Sequence, residues 1–182
     1  MDALPTPDRP LRIGTRGSAL ALAQAHETRD RLAAAHGLPQ TAFEIVVIKT
    51  TGDRITDRPL KEIGGKGLFA KEIHEALLDG RIDFAVHSLK DLETELPRGV
   101  ALACVMPRED SRDALVLGPD CGAPDDADPG DPWGRLPRGA LIGSASVRRQ
   151  AQILHARADL RVETIRGNVQ TRIGKVRAGT VC

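Results

Sequence analysis

The amino-acid sequence predicts an α/β protein with mostly parallel sheets and helices on their faces. Short apolar runs alternate along the chain with stretches in which apolar residues recur three or four positions apart. Only three Phe and one Trp contribute aromatic rings, so the core must be built from Ala, Val, Leu and Ile. Alternating strands and helices are typical of parallel sheets covered by helices. A chain of 182 residues is long enough for two lobes of roughly 90 residues each.

The strands are predicted from short apolar runs bounded by turn-forming residues. The clearest is FEIVVIK at 43–49, a β-branched run typical of a buried strand. It is followed by TTGDRITDRP, which is polar and rich in turn-forming residues and therefore indicates a surface loop. The runs that predict strands are, in chain order, 12–14, 43–49, 82–86, 100–105, 114–117, 140–143 and 160–165.

The helices are predicted from apolar spacing and from residues that can cap a helix. Ser18 can cap the first of them. Phe69, Ile73 and Leu77 lie four apart and form one apolar face of the second. The predicted helices cover 19–35, 68–78, 147–154 and 169–176.

Charge and composition exclude several classes of function. The formal net charge is only +1, which does not favour a general nucleic-acid or membrane-surface binder. Positive charge is concentrated at 140–177, but no aromatic residues are interleaved there, so a nucleic-acid interface is a weak alternative. No apolar run approaches the roughly 20 residues of a membrane span, and MDALPTPDRP lacks the apolar core of a signal peptide.

The three cysteines are an odd number without a C-x-x-C pair. This pattern argues against a disulfide framework and against a structural zinc site, and it fits a reducing cytoplasm. Cys104 lies in an apolar run and is expected to be inert core. No metal ligands are assigned. The segment 118–132 holds five Asp and four Pro, which predicts a surface loop.

Basic residues follow several predicted strands or precede the next helix. Ligands of open α/β sheets bind beyond the carboxyl ends of strands, where helix N-termini present free amides. A single cation in a loop is usually solvated. The shared position of the whole set predicts a site for a ligand with several acidic groups, because converging cations repel one another unless such a ligand is bound. The set comprises Arg16, Lys66, Lys90, Arg148, Arg149 and Arg166.

Other polar residues near these loops have structural explanations as well. Asp91 follows Lys90 at a strand end, where spacing alone favours a helix cap or a surface ion pair over catalysis. His87 is expected to be a packed, hydrogen-bonded histidine. Ser18 and Ser146 are expected to be caps rather than nucleophiles, because no G-x-S-x-G elbow surrounds either. The GGKG stretch is too short for a Walker A loop.

Five ordered segments resemble the motifs of the porphobilinogen deaminase (hydroxymethylbilane synthase) family. Together they span nearly the whole chain, which makes this resemblance far more specific than any single loop. The segments are RIGTRGSALALAQA from Arg12, GGKGLFAKEIHEALLDGRIDFAVHSLKDL from Gly64, PREDSRDAL from Pro107, IGSASVRRQAQIL from Ile142 and LRVETIRGNVQTRIGKV from Leu160.

The resemblance implies a transferase of porphyrin and heme biosynthesis that joins four porphobilinogen molecules into hydroxymethylbilane and releases ammonia. Asp91 resembles the catalytic aspartate of the H-S-x-K-D motif, with Lys90 beside it. Glu93 stands where the family pattern H-S-x-K-D-x-P has proline. The residues that resemble those holding substrate and cofactor carboxylates are Arg12, Arg16, Ser18, Lys66, Ser146, Arg148, Arg149, Arg166 and Arg172.

The resemblance also implies a fold and a cofactor. The family has two lobes that resemble type II periplasmic binding protein domains, with the active site in the cleft between them, and a third domain. A cysteine of that third domain holds a dipyrromethane cofactor, and no metal is implied. Residues 1–112 resemble lobe one and 113–182 an incomplete lobe two, so we expect a truncated chain that lacks the attachment cysteine. A monomer without nucleic-acid or membrane partners is implied, and a non-catalytic carboxylate-binding module is the alternative.

Overall fold

The computed structural model describes residues 4–54, 67–119, 121–122, 131 and 133–182. The chain divides into two compact units, Met1–Met106 and Pro107–Cys182, here called the first and the second unit. This division lies a few residues before the predicted boundary at 112. The assignment of 1–112 and 113–182 to periplasmic-binding-protein lobes stays a prediction. Among the described residues, no helix has both the length and the apolar character needed to cross a membrane.

The first unit is built around a parallel sheet with the strand order β2–β1–β3. Ile13 of the central strand pairs with Ile45 on one side and with Phe84 on the other. Its elements are β1 (Leu11–Thr15), α1 (Ala19–His36), a 3₁₀ turn (Gln40–Ala42), β2 (Phe43–Val47), α2 (Thr51–Arg54), α3 (Lys71–Leu78), β3 (Phe84–Ala85) and a second 3₁₀ turn (Leu89–Asp91).

Helix α1 is fixed at both ends by local chemistry. Its first turn is capped by Ser18, whose hydroxyl accepts a hydrogen bond from the Ala21 amide at 3.3 Å. Its last turn ends at Gly37, which adopts a left-handed conformation with φ of 64°. The helix packs small side chains against the sheet, because Ala25 and Ala33 are both buried beside Ile13. The aliphatic core predicted from composition is therefore present.

The second unit holds a smaller parallel sheet in which β4 pairs with β5. Ile142 of β4, Ile153 and Leu160 lie in its core, and Trp133 packs against them. Gly143 is needed at the end of β4, because a Cβ there would lie only 2.6 Å from the Cδ1 atom of Ile165. The elements are β4 (Leu141–Gly143), α4 (Val147–Ala156), β5 (Arg161–Glu163) and α5 (Val169–Arg177).

Two predicted strands are absent. Residues 101–118 form neither helix nor strand, so the predictions for 100–105 and 114–117 are wrong. A β-branched run becomes a strand only when a neighbouring strand pairs with it. Leu102 and Val105 are instead more than half exposed. Cys104 is exposed as well, which corrects its assignment to the core.

The expectation of no disulfide is also corrected. Cys121 and Cys182 are joined, with their Cα atoms 5.4 Å apart and a sequence separation of 61. The amide of Cys182 donates to the carbonyl of Leu141 at 2.8 Å, so the segment after α5 returns to the edge of β4. That return brings Cys182 to the turn of Gly118 and Cys121, a proximity that cysteine spacing does not reveal. Most of the predicted loop at 118–132 lies outside the described residues.

Candidate functional site

The central cation of the first unit is Arg16, which follows β1 directly. Its Nε atom donates to both carboxylate oxygens of Asp53 at 3.2 Å. Its Nη1 atom donates to Asp91 Oδ2 at 3.4 Å. The side chain of Arg16 is 18% exposed, so these contacts are largely shielded from water. Two carboxylates therefore hold one guanidinium at the carboxyl edge of the sheet.

Asp53 belongs to the TTGD segment that follows β2. The Thr50 hydroxyl donates to Asp53 Oδ2 at 2.8 Å and fixes the carboxylate. Burial opposes ionisation of this group, but the hydrogen bonds from Arg16 and Thr50 outweigh burial and lower the pKa of Asp53. The carboxylate is thus held ionised against Arg16.

Phe69 contributes the apolar side of this arrangement. The guanidinium carbon of Arg16 lies 4.1 Å from the centre of the Phe69 ring, a cation–π geometry. Gly52 makes room for the ring, because a Cβ at that position would overlap it. Stacking on one face and two carboxylates at the edge leave Arg16 little rotational freedom.

Asp91 is carried on a short 3₁₀ turn after β3. The turn is closed by a hydrogen bond from the Asp91 amide to the carbonyl of Ser88 at 2.9 Å. The Ser88 hydroxyl in turn donates to Gln24 Oε1 at 3.0 Å, which ties the turn to α1. Lys90, between them, is exposed. The carboxylate is therefore fixed, while the adjacent ammonium is free to reach toward solvent.

Arg12 and Ser18 occupy different places in the first unit. Ser18 lies at the carboxyl edge, where it caps α1 as predicted. Arg12 lies near the beginning of β1, and its Nη2 atom pairs with Asp83 Oδ1 at 2.9 Å. The bond from Arg12 is the main reason that the pKa of Asp83 is lowered. The structure thus does not gather Arg12 with Arg16 and Asp91.

The second unit places its arginines around two capped helices. Ser146 caps α4, because its hydroxyl accepts from the Arg149 amide at 3.3 Å. The Arg149 side chain forms a bidentate pair with Asp113, in which Nε donates to Oδ2 at 2.9 Å. Hydrogen bonding to Arg149 lowers the pKa of Asp113. Arg148, beside it, is exposed.

Arg172 is a partly buried cation of the second unit, and its pKa is perturbed. Its Nε atom donates to the Gly167 carbonyl at 2.8 Å, just before α5. Burial lowers the pKa of Arg172, and repulsion from Arg149 and Arg166 lowers it further. Three guanidinium groups therefore act on one another electrostatically here. An anion with more than one acidic group would relieve that repulsion.

Comparison with known proteins decides the family. The family model described as porphobilinogen deaminase, dipyromethane cofactor binding domain, matches residues 11–182. The chain belongs to the porphobilinogen deaminase family. A porphobilinogen deaminase from Paracoccus denitrificans is 58% identical over 179 residues, which are 98% of this chain and 54% of that protein. A chloroplastic porphobilinogen deaminase from Oryza sativa is 57% identical over 173 residues, 94% of this chain and 46% of that protein.

The chain thus spans about half the length of the curated porphobilinogen deaminases that it matches. A third relative, a porphobilinogen deaminase from Nitrobacter winogradskyi, gives the same proportion, with 54% identity over 92% of this chain and 50% of the relative. The family assignment rests on almost the whole chain.

The structure gathers part of the predicted porphobilinogen deaminase site within each unit. Arg16 contacts Asp91 in the first unit, and Arg149, Arg166 and Arg172 interact in the second. Lys66 lies outside the described residues, so its assignment stays a prediction. Asp53 and Asp113 were not predicted, and Phe69 was predicted only as part of an apolar helix face, because their contacts with Arg16 and Arg149 join segments far apart in sequence. TTGD follows a strand just as TRGS does, and that shared position was the available signal.

Proposed function

We propose that the protein is the transferase porphobilinogen deaminase. In this reaction four porphobilinogen molecules condense into hydroxymethylbilane, and each condensation releases ammonia. The proposal rests on family membership and on one geometric observation. Asp91, the aspartate of the HSLKD segment, lies 3.4 Å from Arg16 at the carboxyl edge of a parallel sheet, which is the usual place for ligands in such folds.

Asp91 is the group proposed to act on the reacting pyrrole. Loss of ammonia from porphobilinogen leaves a cationic azafulvene, whose charge a fixed carboxylate stabilises. The same carboxylate accepts a hydrogen bond from the pyrrole N–H and assists proton transfer. The Ser88–Asp91 turn and Arg16 hold the carboxylate in place, so little reorganisation accompanies the charge development.

The basic residues are proposed to bind acetate and propionate groups of porphobilinogen and of the dipyrromethane cofactor. The residues fit such a ligand, because guanidinium groups pair with carboxylates, and Arg149 and Arg166 are near enough to Arg172 to add to the effect of burial in lowering its pKa. When bound, dipyrromethane supplies the pyrrole to which substrate rings are joined. The residues proposed to bind carboxylates are Arg12, Arg16, Ser18, Lys66, Ser146, Arg148, Arg149, Arg166 and Arg172, with Lys90 beside Asp91.

Four finer properties belong to the same proposal. The two units are proposed to be lobes of the type II periplasmic-binding-protein kind. The protein is proposed to be cytoplasmic and to act as a monomer, which cell fractionation and size-exclusion chromatography test. It is proposed to have no nucleic-acid or membrane partners, which its formal net charge of +1 supports. Relatives from Oryza sativa and Pisum sativum carry the word chloroplastic in their names.

The test is Asp91→Asn in the full-length protein. We expect porphobilinogen consumption and ammonia release to fall at least about a hundredfold, the low end of what a positioned acid–base group contributes. Substrate affinity should change little, because the carboxylate-binding arginines remain. Asp79→Asn, at an exposed position at the end of α3, is the matched control and should retain wild-type turnover. Near-normal turnover of Asp91→Asn would remove Asp91 from the mechanism.

A further inference from the structure

A buried histidine on α3 lies next to both residues that flank the Asp91 turn. His74 is only 5% exposed, although histidine is polar. Its Nδ1 atom lies 3.8 Å from Glu93 Oε2, and its ring centre lies 6.3 Å from that of His87. His87 precedes the turn and Glu93 follows it. One side chain of α3 therefore meets the segment that carries Asp91 at both of its ends.

Glu93 is held tightly on this side of the turn. Its Oε1 atom fills the space beside Gly67, where a Cβ would overlap it. Its Oε2 atom is buried and forms no hydrogen bond with any residue that the structure describes. A buried carboxylate oxygen without a donor is costly, so the nearby imidazole of His74 is its natural partner. The contact becomes an ion pair whenever His74 is protonated.

His87 is enclosed on the other side. Its Nε2 atom is buried and forms no hydrogen bond within the described parts of the chain. Burial lowers the pKa of His87, and His74 lowers it further. The carboxylates of Asp91 and Glu93 oppose that effect, whereas Arg16 adds to it. The Asp91 carboxylate and the three-residue cluster of His74, His87 and Glu93 are thus electrostatically coupled.

We propose that His74 is a positioning residue for Asp91. It contacts Glu93 through Nδ1 and packs against His87, and so it fixes both ends of the turn that carries the carboxylate. The backbone hydrogen bonds of the turn are short-range, from Asp91 to Ser88 and from Leu92 to Leu89. Its side-chain anchors are Ser88 on Gln24 and Arg16 on Asp91, and the cluster adds anchors on the two flanking residues. This role rests on the proposed function of Asp91.

The activity test is a double-mutant cycle in the full-length enzyme. Glu93→Gln and His74→Gln should each lower kcat by about tenfold, which is less than the roughly hundredfold loss that a 1 Å misplacement can cause. The KM for porphobilinogen should stay nearly unchanged. The double variant should lose no more than either single variant, because both remove the same contact. Glu95→Gln, an exposed site two residues further along, is the control. Additive losses, or none, overturn the proposal.

A second measurement does not require activity. In the 182-residue chain, NMR titration of the histidines should show that His74→Gln moves the His87 titration to higher pH, whereas His36→Gln at an exposed site does not. Glu93→Gln should also displace the amide resonance of Asp91. An unchanged His87 titration or Asp91 resonance overturns the positioning role. Full turnover of Asp91→Asn would instead remove Asp91 from the mechanism, while these contacts would remain measurable.

Discussion

The guanidinium of Arg16 donates to Asp53 through both Nε and Nη2, so this cation already has an internal carboxylate partner. An acidic substrate group that binds Arg16 must compete with Asp53 or approach the remaining Nη1 atom, which faces Asp91. In the second unit, by contrast, burial and then repulsion from Arg149 and Arg166 lower the pKa of Arg172, although Arg149 is itself paired with Asp113. The first unit thus presents a held carboxylate, whereas the second brings guanidinium groups within electrostatic reach of Arg172.

Asp53 makes the stability of the first unit depend on pH. Its pKa is lowered in the folded chain from the ordinary value of 3.8. A lowered folded-state pKa means that the stabilisation is present above the unfolded value and is lost as pH falls through the folded value. Urea unfolding followed by circular dichroism should therefore show stability that falls below about pH 4. Asp53→Asn should have a lower free energy of unfolding at pH 6 and a flatter pH profile; an unchanged profile would contradict the prediction.

Cys182→Ser should destabilise the second unit only under oxidising conditions. The bond to Cys121 closes a loop with a sequence separation of 61 residues, for which chain entropy gives about 4 kcal/mol. Trp133 is the only tryptophan and packs against this core, so its fluorescence reports unfolding of the unit. A reductant should remove the difference between variant and wild type. Cys104→Ser, at an exposed free thiol, is the control and should change neither measurement.

Gly143→Ala and Gly174→Ala should shift stability in opposite directions. A Cβ at Gly143 meets Ile165 Cδ1 at 2.6 Å, and such overpacking costs typically about 1–3 kcal/mol. A Cβ at Gly174, inside α5, meets nothing within 4 Å, and alanine gains up to about 1 kcal/mol over glycine in a helix. Both sites lie in the second unit, so Trp133 fluorescence compares them directly. A stable Gly143→Ala variant would show that Ile165 moves aside at little cost.

Arg172→Gln should weaken the binding of acidic ligands to the second unit. Loss of one charge-assisted hydrogen bond, about 1.5–3 kcal/mol, corresponds to a fall in affinity of roughly 10- to 150-fold. Porphobilinogen and succinate are suitable probes, because a ligand that binds only the folded state raises the thermal midpoint. Arg177→Gln, at an exposed site near the end of α5, should retain that rise. Equal effects of the two substitutions would indicate binding by net charge alone.

Much of the fold follows from local rules that the sequence displays. Ser18 and Ser146 were identified as caps, because a hydroxyl before an apolar helical repeat satisfies a free amide. FEIVVIK forms β2, although the strand ends at Val47. The predictions for 100–105 and 114–117 failed because a short apolar run carries no information about whether a pairing strand is available.

Site residues could be predicted where a sequence motif indicates their chemical role. They were missed where a contact joins residues that are far apart in sequence. Asp91 was identified from HSLKD, but its contact with Arg16 spans 75 positions. The Asp53 carboxylate and the Cys121–Cys182 bond depend likewise on how distant segments meet. His74 lies on an amphipathic helix, where a buried histidine ordinarily belongs to the packed core. The apolar spacing of the helix therefore gives no reason to connect His74 with Glu93.

The central position of β1 has a consequence for synthesis of the protein. Ile13 leaves the ribosome early, yet its partner Phe84 is made about 70 residues later. Until then β1 has only β2 beside it, and an isolated pair of strands is marginal in water. At a translation rate of roughly 5–20 residues per second, the apolar edge of β1 stays uncovered for several seconds. The nascent chain therefore exposes this apolar edge to aggregation most between the emergence of β2 and that of β3.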